Sequence, residues 1–171
     1  QRLLFRTHAQ GNGYPLDLIP FGDIENPPAS IAWPPDQTEV LNVSGYREAL
    51  VSAVDIQIER GLVVPVVSLA GLTILKFYAW QDRGRANPKG AFDLATLMQQ
   101  YADAGNHARL YGEELALLEA VDYNLAAASP RLLGKDVSKI ATAKTRNDLL
   151  AILIDPSAAD RLITNVSSSV R

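Results

Sequence analysis

Two kinds of apolar patterning divide this chain, and they do not interleave. Up to residue 67 the apolar segments are short and strand-like. Residues 54–59 alternate Val54, Ile56 and Ile58 against Asp55, Gln57 and Glu59, and residues 62–67 are continuously apolar and mostly β-branched. A period of two marks a half-buried strand, and an unbroken β-branched run marks a strand buried on both faces. Residues 2–7 and 14–20 read as two further strands. From Ser68 onward the segments have helical spacing and length: 68–83, 88–104, 109–127, 130–140, 142–154 and 157–164. Strands first and helices afterwards predict an α+β fold. The expectation is a small mixed sheet over residues 1–67, followed by a helical region over 68–171 that packs on it.

Turn chemistry refines that outline. Gly11-Asn12-Gly13 lies between the first two apolar runs and signals a hairpin with a long loop. Between residues 22 and 36, Pro27, Pro28, Pro34 and Pro35 predict an irregular surface loop. Residues 44–53 read as a short helix capped by Ser44. Ser68 is placed to cap the next helix, and Pro88 to open the one after it, where its missing N–H costs nothing.

Composition narrows the functional classes. With 171 residues, 47% of them hydrophobic, the chain can bury one real core. It has no cysteine, which excludes disulfides and thiolate metal sites and points to a reducing, cytoplasmic setting. A net charge of −3 supplies no general attraction to nucleic acid or membranes, so any such contact must come from a local patch. The apolar runs are too short to span a bilayer. The chain starts at Gln1, already within patterned sequence, and the expectation is an amino-terminally truncated protein.

Few residues stand out as chemistry-bearing. Asp17 sits between Leu16 and Leu18, whose side chains point to the opposite face of a strand. A carboxylate there needs water, a cation or a basic partner; the plain reading is an edge-strand Asp facing solvent. Lys76 lies in a run that is apolar on nearly every side, and Arg83 follows two helical turns later on the same face. Two stacked cations call for an anion, such as a triphosphate or a carboxylate; the plain reading of Lys76 is a side chain that snorkels to the surface. Arg83, Arg85 and Lys89 crowd the junction before the next helix. Asp93, bracketed by Phe92 and Leu94, could form a surface pair with Lys89 or hold Lys76 or Arg83 from the facing helix. His8 and His107 lack ligand-spaced partners, no glycine loop has phosphate-binding spacing, and Trp33 and Trp80 read as packing residues.

Residues 2–104 resemble the AbiEii-like nucleotidyltransferases of the DNA polymerase β-type superfamily. The resemblance rests on Asp17 in Leu-Asp-Leu-Ile-Pro-Phe-Gly, Lys76 in Leu-Lys-Phe-Tyr-Ala-Trp-Gln-Asp-Arg, and Lys89 and Asp93 in Lys-Gly-Ala-Phe-Asp-Leu. It implies transfer of a nucleoside monophosphate from a nucleoside triphosphate to an acceptor hydroxyl, with Mg2+ held by three carboxylates. Asp17 corresponds to the third carboxylate and would bind metal. Lys76 and Arg83, with Lys89, would contact the triphosphate, and Asp93 would position a basic residue or the nucleotide. RNA or protein acceptors and an antitoxin partner are also implied; a membrane is not. The chain departs from the pattern twice. The glycine-serine motif with its paired carboxylates is absent, and Gly90 stands where the family more usually has an acidic residue. The alternative is a catalytically silent nucleotide-binding or protein-interaction module of the toxin–antitoxin type.

Overall fold

The computed structural model describes residues 2–5, 14–33, 36–83 and 87–168. The fold is α+β, with short antiparallel ribbons early in the chain and helices after them. It divides into two compact units, residues 1–43 and 44–171.

In the first unit, β1 (Arg2–Phe5) pairs antiparallel with β2 (Tyr14–Asp17), with Arg2 opposite Asp17 in the register. The hairpin expected there is present, and its Gly11-Asn12-Gly13 loop lies outside the described residues. A second ribbon pairs β3 (Ser30–Ala32) with β4 (Val40–Asn42). This corrects the expectation of an irregular stretch over residues 22–36. The prolines come in two pairs, and the three residues of β3 fit between them with their ladder groups intact. The Glu25 carboxylate fixes the approach, accepting from the N–H of Gly22 at 2.8 Å and of Ala29 at 2.7 Å. Among the described residues of this unit, Ile31 and Val43 are buried apolar ones.

The second unit opens with α1 (Tyr46–Val51). Ser44 is not its cap; the preceding position is Gly45, at φ 81°. That left-handed conformation suits glycine, and a Cβ there would meet Ile74 Cγ2 at 2.7 Å, so the residue also lets α1 approach the helix that carries Ile74 closely. Next come β5 (Val54–Glu59) and β6 (Leu62–Val66), an antiparallel pair closed by the two-residue turn Arg60-Gly61. Both strands lie where the patterning puts them, but the expected burial of 62–67 is overturned. Every residue of the ribbon is exposed, with Val54 at 52%, Ile58 at 61% and Val63 at 54%. Among the described residues the pairing is antiparallel in three separate two-stranded ribbons, where one mixed sheet was expected. The boundary between compact units falls at residue 43 rather than 67, because α1 and the β5–β6 ribbon belong with the helices. Ser52 Oγ, just past α1, lies 3.1 Å from Ser68 Oγ at the head of α2.

The helices form the core. α2 (Leu69–Arg83) is central, packing on α1, on α3 (Lys89–Gln100) and on α6 (Leu125–Ile140). Ser68 caps α2 as expected, its Oγ accepting from Gly71 N–H at 3.1 Å. Trp80, Ile74, Leu94, Leu110, Leu118 and Leu132 are sealed from solvent. Residues 109–127, expected as one helix, are two short ones, α4 (His107–Leu110) and α5 (Leu115–Glu119). The second ends before Asp122 and Tyr123, both with positive φ. Asn124, not Pro130, starts α6, its side chain accepting from Ala127 N–H at 3.1 Å. Pro130 sits inside that helix. α7 (Ala143–Ile154) is capped by Thr142, and α8 (Pro156–Ser168) packs on α3 and α7.

Two polar clusters tie the helices together. Glu48, buried on α1, accepts from Thr142 Oγ1 at 2.9 Å and from Thr145 Oγ1. Burial pushes its carboxyl up, but hydrogen bonds from Thr145, its own backbone N–H and Thr142 outweigh burial and hold it below the usual carboxylate range. Asp136 on α6 takes a bidentate pair from Arg109 at 2.7 and 2.9 Å and accepts from Tyr101 Oη at 2.7 Å.

Candidate functional site

The α2–α3 pair carries four of the five residues singled out in the sequence. Its geometry follows from a short connection, residues 84–88, which makes the two helices adjacent neighbours. Lys76 projects from α2 and donates to Asp93 Oδ2 on α3 at 2.6 Å. Both are about one-third exposed, at 32% and 27% of the side chain. Of the options left open for Asp93, the structure selects the cross-helix one: its partner is Lys76 on the facing helix, not Lys89 one turn before it. An ammonium has three donor hydrogens. One held by Asp93 leaves two for a ligand and fixes a side chain that would otherwise sample many rotamers.

Arg83 is the last residue of α2 and Lys89 the first of α3, and both are exposed. Neither side chain pairs with a carboxylate among the described residues. Arg83 at a helix C-terminus complements the dipole there. Lys89 at a helix N-terminus opposes it, an arrangement that a bound anion relieves. Arg85 lies outside the described residues. Trp80, between Lys76 and Arg83 on α2, is fully buried as expected of a packing residue.

The close approach of the helices explains the departure at position 90. A Cβ on Gly90 would lie 3.1 Å from Trp80 Cβ and 3.2 Å from its Cα. A side chain there would press on that backbone, which would have to give by a few tenths of an ångström, so glycine lets α3 seat on α2 without adjustment.

One contributor to this region is invisible to local sequence reading. Arg161 on α8 stacks its guanidinium 4.6 Å from the centre of the Trp80 ring, and Asn165 accepts from the Trp80 indole N–H at 3.1 Å. Both lie some eighty residues away in the chain, and only their helical spacing of four could have hinted at a shared face.

Asp17 belongs to the other unit. It is the last residue of β2 rather than a mid-strand position, and its side chain is exposed. Nothing about the described residues assembles a magnesium site around it: no group of three His, Asp or Glu side chains among them could hold a metal ion. A single carboxylate is a poor donor set for Mg2+, which favours an octahedron of oxygens. The residues present therefore do not fit the metal. His107, expected to be isolated from any ligand cluster, pairs with Asp103 one turn earlier at 2.7 Å. Among the described residues no helix is long and apolar enough to cross a membrane.

Comparison with known proteins adds no relative: no family model, no curated protein and no solved structure matches this chain.

Proposed function

We propose that the α2–α3 pair binds the phosphates of a nucleoside triphosphate, in a protein built on the plan of a nucleotidyltransferase. The observation that carries this reading is the Lys76–Asp93 pair, which anchors one cation between two helices while Arg83 and Lys89 stand unpaired at their junction. With Asp82 and Asp93 both counted, Lys76, Arg83 and Lys89 still leave these two helices one net positive charge, in a chain whose net charge is −3. A polyphosphate matches that excess, the free donors of Lys76 and the N-terminal dipole of α3.

Monophosphate transfer to RNA or protein asks for metal-binding carboxylates besides Asp17. The described residues thus support binding of the triphosphate, the alternative reading of the sequence, more directly than its turnover. A toxin role with an antitoxin partner is the accompanying expectation of the resemblance.

Titration of the protein with ATP, followed by calorimetry, tests the proposal. Saturable binding is expected, weakened about tenfold or more by Lys76→Ala and by the Arg83→Ala/Lys89→Ala pair, since each removes charge-assisted hydrogen bonds. Absence of binding, or affinity in both variants equal to that of the parent protein, would remove the basis for the reading.

A further inference from the structure

We propose that the free edge of β5 takes up an extended segment of a partner protein, added as a strand that alternates aliphatic and basic residues. This is independent of the phosphate reading of the α2–α3 pair. Pro65 fixes which backbone groups are available. It stands opposite Asp55 in the register, and proline has no N–H, so these two cannot exchange a pair of hydrogen bonds. The hydrogen-bonded pairs are therefore the neighbours, Val54 with Val66 and Ile56 with Val64. The N–H and C=O groups of Asp55 and Gln57 then point away from β6. Among the described residues no third strand joins the ribbon, and none of its residues has a hydrogen bond outside it.

The two edges of the ribbon are not equivalent. On β6 the outward positions include Pro65, which cannot donate, and proline is one of the devices that keep an edge from being extended. β5 has no such block, and its ladder is regular until the shift between Gln57 and Glu59. Charge selects the occupant. Asp55 and Glu59 are exposed, and neither has a cationic partner among the described residues. β5 has no basic residue, so a second copy paired along this edge would add carboxylates and bring no cation. A segment with lysine or arginine at every other position places them beside Asp55 and Gln57, since neighbours across a ladder share a face. Its intervening aliphatic side chains then fall beside Val54 and Ile56. Val64 and Val66 complete that face, and all of these residues are between 37% and 52% exposed.

A terminally blocked hexapeptide alternating lysine and valine serves as the probe, with its glutamate–valine counterpart as control. Both are titrated into the full chain and followed by amide chemical shifts and hydrogen exchange. The lysine peptide should bind saturably and protect the amides of Asp55 and Gln57 from exchange. Gln57→Pro should abolish binding with no loss of melting temperature, because that N–H takes no part in the ladder with β6. Val63→Pro, which removes an N–H from the other edge, should leave binding unchanged. Asp55→Lys should weaken the lysine peptide about tenfold and favour the glutamate one. The proposal is overturned if the lysine peptide does not bind, or if the glutamate peptide binds the parent protein equally well. It also fails if Gln57→Pro folds and still binds, or if Val63→Pro, folded, is as damaging. Should Gln57→Pro not fold, unchanged affinity in Asp55→Lys decides against it. A dimer of the free chain that Asp55→Lys disperses would assign the edge to a second copy instead, and overturn the proposal.

Discussion

Asp136 illustrates how much a single polar side chain carries here. Burial pushes its carboxyl up, but Arg109, Tyr101 and Lys139 more than offset that and hold it well below the usual carboxylate range. A lowered folded-state pKa contributes stability that is complete above the unfolded value of about 4 and is lost as pH falls through the folded one. Urea titrations should therefore show stability declining below about pH 5. Asp136→Asn should cost about 2 kcal/mol at neutral pH by removing the charged bidentate acceptor of Arg109, which keeps Glu113 and Asn106 as partners, and should make the acid limb shallower. An unchanged acid limb would mean the network does not govern acid stability. The same cluster has an alkaline counterpart. Burial, and then the hydrogen bond to Asp136, pushes the Tyr101 hydroxyl up to about 12. Its contribution is present below the ordinary tyrosine value of about 10 and is lost as pH rises toward 12. Tyr101→Phe should flatten that alkaline limb, measured by the same titration.

At the scale of elements, the α2–α3 contact is set by Gly90. Gly90→Ala should destabilise by about 1 kcal/mol, because seating the methyl against the Trp80 backbone requires the helices to give by a few tenths of an ångström. A chemically unfolded midpoint equal to that of the parent protein would show that the helices have slack. The β5–β6 ribbon behaves in the opposite way. Val64→Thr, at an exposed position, should change stability by less than about 0.5 kcal/mol. A much larger loss would mean that the residue is covered in solution.

These elements also show what could be read in advance. The cap Ser68 and the alternation of residues 54–59 are local signals, and α2 and β5 lie where they indicate. The Lys76–Asp93 pair was within reach because both residues break an apolar face on consecutive helices. The exposure of β6 was not, since a β-branched run specifies a strand while only the neighbouring elements decide whether it is covered. Asn124 outranked Pro130 as the start of α6 because a side-chain cap satisfies helix donors, whereas proline only tolerates their absence. Arg161 and Asn165 owe their place to tertiary contacts with Trp80 that no local pattern encodes.

On the scale of the molecule, residues 44–171 contain, among the described residues, all the fully sealed large side chains and every helix. That segment should fold alone, with a cooperative thermal transition and helical circular dichroism; a broad, non-cooperative melt would show that its core needs residues 1–43. It also contains the whole proposed phosphate site. The most direct test of that site is the affinity of Asp93→Asn for ATP. If Asp93 serves to hold Lys76 in place, the substitution should weaken binding even though it removes a negative charge from a basic site. Tighter or unchanged binding would contradict the account, since it would reduce Asp93 to a nearby charge with no part in positioning Lys76.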